Sequence, residues 1–198
     1  AHIMIYHNAE IIYLDKIENN APIRASAEPG LRAPAYCVAS GKVLLAFQPG
    51  KGVWLTKRSS HLKHHPGQIA FPGGKLDPTD ASLEAAALRE TQEEIGLPPD
   101  CVQILGTLPP HETVTGFLVT PFVGHVYRDF TARPEAGEVE EAFTVPLHHL
   151  IDPANYHIQS RRWQGQLRRY YTVPWGPYYI WGATARMLYG LAAKAPVS

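Results

Sequence analysis

Three glutamates in one short segment suggest a chemistry of their own. Glu90, Glu93 and Glu94 are spaced i, i+3 and i+4, so on a helix they fall within one arc of roughly 100°. Carboxylates at this spacing repel one another. A hard divalent cation such as Mg²⁺ or Mn²⁺ would relieve the repulsion, because such ions take oxygen ligands from carboxylates, water and phosphate. The spacing therefore indicates a cation site, and the neighbouring Arg89 could orient a carboxylate through two hydrogen bonds.

The segment that carries these glutamates is predicted to be a helix. Residues 81–95 contain no Gly or Pro and are rich in Ala, Leu and Glu. Asp80 stands at the expected N-cap, and Gly96 followed by Pro98 and Pro99 would end the helix. The side opposite the acidic arc is expected to be buried, and it consists of Leu88, Thr91 and Ile95.

The second half of this segment resembles a known family pattern. The run RETQEEIGL, from Arg89 to Leu97, is similar to the end of the Nudix box, G-x5-E-x7-R-E-U-x-E-E-x-G-U with U apolar. Thr91 occupies the apolar position, and no Glu stands at the early position, to which Asp80 is nearest. The stretch from Gly74 to Arg89 is one residue longer than the pattern, which resembles the coenzyme A pyrophosphatase branch of the Nudix hydrolases.

A stretch immediately upstream resembles a signature of the same branch, L-L-T-x-R-S-x3-R-x3-G-x3-F-P-G-G. Residues 54–74 follow it at the right spacing, with Trp54 replacing the first Leu and Lys63 replacing the second Arg. Lys63 keeps the positive charge but loses the planar fork of Arg. Box and signature cover residues 54–97, and two adjacent matches in order are more specific than either alone. The substrate-binding residues that the resemblance implies are Arg58, Ser59, Lys63, Gly73 and Gly74.

The resemblance also implies a fold and an activity. The expected fold is α/β, the Nudix fold, in which a mixed β-sheet lies between α-helices. The expected reaction is attack of water on the pyrophosphate bond of coenzyme A or a derivative. Its cofactor would be Mg²⁺ or Mn²⁺, and its products 4′-phosphopantetheine and adenosine 3′,5′-bisphosphate. The expected catalytic residues are Arg89, Glu90, Glu93, Glu94 and Glu141, with Glu90, Glu93 and Glu94 holding the metal ion.

Two alternatives to this function stay open. The nearer is a Nudix hydrolase of another specificity, acting on ADP-ribose, a dinucleotide or a nucleoside triphosphate. The other is a module that binds a nucleotide without cleaving it, and the missing early Glu is the one feature in its favour.

An acidic run outside the box offers a further carboxylate. Many Nudix enzymes bring one from such a loop, and the E-V-x-E run here points to Glu138 and Glu141. The competing interpretation is an exposed acidic loop, whose charges contribute little.

Two basic stretches have competing interpretations. Residues 58–68 form a basic, His-rich loop that either binds phosphate or is merely solvated, and its histidines do not make a zinc site. Residues 159–175 alternate Arg and aromatic side chains, which predicts a hairpin. The hairpin could stack a base or form a homodimer surface, but such aromatics are more often cross-strand or core pairs. A packed helix is predicted over residues 179–193.

The composition limits the partners and the location. Residues 1–32 are interpreted as an N-terminal extension, with residues 1–3 a possible cloning remnant, and residues 33–198 as a Nudix hydrolase domain that ends in the hairpin and helix. The net charge of zero argues against a broad grip on nucleic acid. Cys37 and Cys101 read as reduced core thiols. The absence of a signal peptide and of a long apolar run predicts a cytoplasmic protein without membrane contact.

Overall fold

The structure is a computed structural model that describes residues 2–7, 10–16, 32–34, 40–113, 117–163 and 165–193. The chain divides into two compact units, residues 1–40 and 41–198. In the first unit, three strands form an antiparallel sheet in chain order: β1 (His2–His7), β2 (Glu10–Lys16) and β3 (Arg32–Pro34). Cys37, predicted to be a reduced core thiol, lies outside the described residues.

A sheet of eight strands organises the second unit. The strands are β4 (Ser40–Gln48), β5 (Gly52–Arg58), β6 (Ile69–Ala70), β7 (Gly73–Lys75), β8 (Val102–Thr107), β9 (His111–Glu112), β10 (Leu118–Val126) and β11 (Val139–Val145). The main path runs β11-β5-β4-β10-β8, while β6 pairs with β5, β7 with β4 and β9 with β10. The sheet is mixed and is flanked by helices.

Among the residues described, three α-helices and a hairpin complete the second unit. Helix α1 (Leu83–Ile95) carries the box glutamates, and the predicted hairpin is β12 (His157–Trp163) with β13 (Gln166–Thr172). The other helices are α2 (Leu147–Ile151) and α3 (Gly182–Ala192), of which α3 is shorter than predicted. In the described part of the chain, none of the helices combines the length and apolar character needed to span a membrane.

Two cores lie on opposite faces of the sheet. Because side chains alternate along a strand, neighbouring residues of β4 and β5 enter different cores. Helix α1 packs Ala87 and Ile95 against Leu44, Ala46 and Trp54. The core beneath α2 and α3 takes the intervening residues, among them Leu45, Val53, Leu55, Phe143 and Val145. Even-numbered residues of β4 and β5 therefore face α1. The α/β Nudix fold predicted from the sequence is confirmed.

Residues 40–42 belong to β4. Its backbone pairs with β7, with Lys42 opposite Gly74 and Val43 opposite Gly73. The two strands approach so closely that a Cβ on Gly73 would collide with the Lys42 carbonyl oxygen. Gly73 also has φ +149, a conformation that favours glycine. The pairing therefore fixes the Gly73–Gly74 segment beside β4.

Candidate active site

Helix α1 begins two residues later than predicted. Ser82 has an extended backbone, and its Oγ accepts a hydrogen bond from the Ala85 N–H at 3.0 Å. The prediction of Asp80 as N-cap was wrong, because the Asp80 carboxylate binds a side chain instead. Gly96 ends the helix as expected, in the left-handed conformation with φ 73.

Arg89 is the centre of a charged network at the start of the site. Its Nε and Nη2 donate to the two carboxylate oxygens of Asp80 at 2.9 and 3.0 Å. It also donates to Glu93 at 2.7 Å and to Glu90 at 3.0 Å. The Asp80 side chain is only 5% exposed, and its pKa is lowered chiefly by the hydrogen bonds from Arg89. The residue nearest the absent early Glu of the box thus holds Arg89, which in turn holds Glu90.

Glu90 lies directly against Gly74. A Cβ on Gly74 would occupy the space of the Glu90 carboxyl group, so this position accepts only glycine without displacing Glu90. Burial raises the pKa of Glu90, and the hydrogen bond from Arg89 opposes that rise. Gly74, the last glycine of the upstream signature, therefore leaves room for Glu90, a carboxylate of the box.

Glu94 is the most buried acid of the site, with 5% of its surface exposed. Its Oε2 accepts a hydrogen bond from the Gly73 N–H at 3.1 Å. Burial raises the pKa of Glu94 to about 7, and nearby Glu90 and Glu138 contribute to the rise. The Gly73 N–H and Arg58 act in the opposite direction. The sequence predicted Glu94 on the acidic side of the helix, opposite the buried stripe, but in the structure Glu94 is itself buried against Gly73.

The site residues fit a divalent cation by their chemistry. Glu90 is close enough to Glu94 to raise its pKa, and burial disfavours negative charge on both. Glu93 points to Arg89, and its side chain is 58% exposed. In the described ranges, no three acidic, His or Cys side chains converge as a ready metal cage. Mg²⁺ needs no such cage, since it binds through one or two carboxylates together with water and substrate phosphates.

The other predicted substrate residues lie on β5 and the loop that follows it. Arg58 is even-numbered, so its side chain faces α1, which agrees with its electrostatic effect on Glu94. The buried Ser59 donates its N–H to the Glu138 carbonyl at 2.8 Å. Its Oγ accepts from the His61 N–H at 3.3 Å. Lys63 is exposed on the same loop. The structure thus brings Arg58 to the carboxylates and uses Ser59 to anchor the acidic run.

The two candidate residues of that acidic run have different surroundings. Glu141 stands opposite Lys57 in the backbone pairing of β11 with β5. Its side chain lies on the sheet face that carries Phe143, where the carboxylate accepts a hydrogen bond from Tyr178 at 2.6 Å. Glu138, in contrast, influences the ionisation of Glu90 and Glu94 on the α1 face. This arrangement does not favour the catalytic role that the sequence suggested for Glu141. It makes Glu138 the better candidate for the extra carboxylate.

Two aromatic residues of the C-terminal hairpin pack within the chain. Tyr170 contacts Trp181 edge-on at 5.4 Å between ring centroids, and Tyr171 stacks on Tyr189 at 4.3 Å. Arg161 lies over the Trp181 ring at 5.9 Å. These contacts support the structural interpretation of the hairpin over the base-stacking one. Separately, Cys101 is a buried free thiol, as predicted.

The raised pKa of Glu94 predicts how stability depends on pH. The pKa rises from 4.5 in the unfolded chain to about 7 in the folded one, so between these values the folded protein binds more protons. Stability of the metal-free protein should therefore fall as pH rises from about 5 to about 8, by up to roughly 3 kcal/mol. Urea unfolding in EDTA should show this loss in the wild type but not in Glu94→Gln. Parallel pH profiles for the two proteins would contradict the buried, ionisable Glu94.

The chain is similar to several known proteins and family models. Residues 39–164 match the family model for the NUDIX domain. Residues 1–63 also match the family model for the bacterial transcriptional regulator IclR C-terminal domain. An uncharacterized Nudix hydrolase NudL from Enterobacter sp. (strain 638) is 45% identical over 143 residues, which cover 72% of this chain and 74% of that protein. Its counterpart from Salmonella paratyphi B is 43% identical over 150 residues, covering 76% and 78%. Among solved structures, a C. elegans Ap4A hydrolase binary complex has a TM-score of 0.48 at 18% identity, over 55% of this chain and 81% of that one.

Proposed function

Because this chain belongs to the Nudix hydrolase family, we propose that it is a divalent-metal-dependent pyrophosphohydrolase that splits coenzyme A or a derivative. The products would be 4′-phosphopantetheine and adenosine 3′,5′-bisphosphate. The observation that carries the proposal is the pair of carboxylates, Glu90 and Glu94, held beside Gly74 and Gly73. The charge network of Asp80 and Arg89 also takes away the main argument for a non-catalytic module, since an acid does stand near the early box position.

The cation, Mg²⁺ or Mn²⁺, would be held by Glu90 and Glu94, with Glu93 at the exposed rim of the site. When bound, it supplies positive charge that neutralises the diphosphate and lowers the pKa of a coordinated water. The protein's own part is to fix the ligands. Arg89 orients Glu90 and Glu93 through hydrogen bonds, and the Gly73 N–H orients Glu94. Because these bonds exist before the cation binds, little reorganisation is needed.

The proton of the attacking water needs an acceptor among nearby carboxylates. Glu94 is one such carboxylate, since it lies beside Glu90 where a cation-bound water would be held. Glu138 adds a carboxylate on the same face, tethered through its carbonyl to Ser59. Both residues lie on the α1 side of the sheet, where the substrate diphosphate would be bound.

The cationic residues beside the carboxylates support a phosphate-bearing substrate. Arg58 is half-buried and next to Glu94, and a guanidinium pairs well with phosphate oxygens. Lys63 lies further out on the same exposed loop, where it could reach a second phosphate. These two residues belong to the signature of residues 54–74, and that signature supports coenzyme A over other dinucleotide-like substrates. With this substrate, the enzyme would act on a small molecule in the cytoplasm. As a separate proposal, the hairpin would form a homodimer surface.

A substrate panel tests the proposed specificity. We expect the purified protein, with Mg²⁺ or Mn²⁺, to release 4′-phosphopantetheine from coenzyme A at a kcat/KM at least about tenfold above that for ADP-ribose, diadenosine polyphosphates or nucleoside triphosphates. Mass spectrometry of the products identifies the bond that is broken, and EDTA should stop the reaction. A preference for ADP-ribose would favour the alternative specificity. Tight binding of coenzyme A without turnover would favour the non-catalytic module.

A further inference from the structure

A fully buried lysine lies on the sheet face that carries the proposed active site. Lys42 is 0% exposed, and alternation along β4 places its side chain on the α1 face together with Leu44 and Ala46. Lysine is rarely buried unless its charge is compensated, because desolvating an ammonium group is costly. The burial therefore requires a specific electrostatic environment.

The carboxylates of the site supply that environment. Asp80 and Glu90 both favour the charged form of Lys42, whereas burial lowers its pKa to about 8. The backbone of Lys42 pairs with Gly74, and Gly74 is the residue against which the Glu90 carboxyl group lies. Lys42, Gly74 and the Glu90 carboxyl group therefore lie close together where β4, β7 and α1 meet.

We propose that Lys42 is the internal counter-ion of the metal site. In the metal-free protein its ammonium group stabilises Glu90 and Asp80, and it repels the divalent cation that binds the same carboxylates. The inference rests on the proposed function, in which Glu90 and Glu94 bind that cation. Lys42 is a positioning residue in this role, because it acts through Glu90 and need not touch the substrate.

The counter-ion role has two opposite consequences. Removal of the positive charge leaves buried carboxylates less well compensated, so the metal-free protein should become less stable. The same removal takes away a repulsion of the incoming cation, which water screens poorly at a buried site. The metal should then bind more tightly. A lysine that merely fills space would lower stability without tightening metal binding.

The experiment compares Lys42→Met with Lys57→Met, a matched change at a more exposed lysine that pairs with Glu140 on the neighbouring strand. Isothermal titration with Mn²⁺ at about 0.15 M salt measures the affinity, and thermal unfolding in EDTA measures metal-free stability. For Lys42→Met we expect the Kd for Mn²⁺ to tighten about tenfold and the metal-free Tm to fall by about 5 °C or more. Lys57→Met should change neither appreciably.

A double-mutant cycle separates charge from packing. In a Glu90→Gln background, Lys42→Met should lower the metal-free Tm much less than in the wild-type background, because the partner charge is already gone. If Lys42→Met alone does not fold, recovery of folding in the double variant supports the counter-ion role. If neither Lys42→Met nor the double variant folds, Lys42 acts through packing, and the counter-ion role is overturned.

The remaining outcomes distinguish this inference from the proposed function. A folded Lys42→Met with unchanged or weaker Mn²⁺ affinity overturns the counter-ion role and leaves the proposed metal site intact. If the wild-type protein does not bind Mn²⁺, the proposed function itself is overturned, and so is the counter-ion role that rests on it. Equal Tm losses in the wild-type and Glu90→Gln backgrounds overturn the charge coupling.

Discussion

Replacing Glu94 with Gln is expected to abolish metal-dependent hydrolysis, with kcat lowered by about 10³-fold or more. The amide keeps the size of the side chain, and its oxygen can still accept the Gly73 N–H. It cannot supply the negative charge that holds a cation or accept the proton of water. The folded state should be retained, and at about pH 8 the metal-free protein should even be more stable, since a buried carboxylate has been removed. Steady-state kinetics with Mg²⁺ and circular dichroism measure the two effects.

Glu84→Gln is the matched control for this change. Glu84 lies on the same helix but is exposed in its first turn, away from Gly73. Its substitution should leave kcat within about a factor of two, because exposed surface changes are usually worth less than about 0.5 kcal/mol. Unchanged turnover in Glu94→Gln would remove Glu94 from the metal site.

Substitution of Gly74 by Ala is expected to lower kcat by about 100-fold while leaving the fold intact. The new methyl group would occupy the position of the Glu90 carboxyl group, so Glu90 must move away from its place beside Glu94 and Arg89. Gly74 does not have positive φ, so alanine adds no backbone strain there. The loss should appear chiefly in kcat and in the Mn²⁺ affinity, both measured on the purified variant.

Gly190→Ala tests whether that effect is specific to the site. Gly190 lies within α3, and an added Cβ there meets no atom within 4 Å. Alanine favours helix by about 1 kcal/mol relative to glycine, so this variant should be slightly more stable and fully active. Full activity in Gly74→Ala would show that Glu90 does not need its observed position.

The sequence predicted the parts of the site that depend on local patterns. Helix α1 and its end at Gly96 both follow from helical spacing and glycine chemistry. The N-cap was misassigned because Asp80 and Ser82 both have capping side chains, and only tertiary contact with Arg89 decides between them.

Two features of the site could not be predicted from local patterns. A β-bulge between Val139 and Glu141 adds one residue to β11, so the alternation that assigns Glu141 to a face is broken. A bulge leaves no clear mark in a sequence. The burial of Lys42 was also hidden, because a lysine after glycine reads as a turn, and residues 41–43 pair with β7 across a long stretch of sequence. In both cases, long-range pairing decides where a charge points.

The most direct test of the central claim is the position of a bound cation. Anomalous diffraction at the manganese edge, from crystals of the protein grown with Mn²⁺, locates the metal without reference to activity. We predict a peak within about 2.5 Å of carboxylate oxygens of both Glu90 and Glu94. Manganese bound elsewhere, with Glu90 still bound only to Arg89 and Glu94 only to Gly73, would contradict the claim.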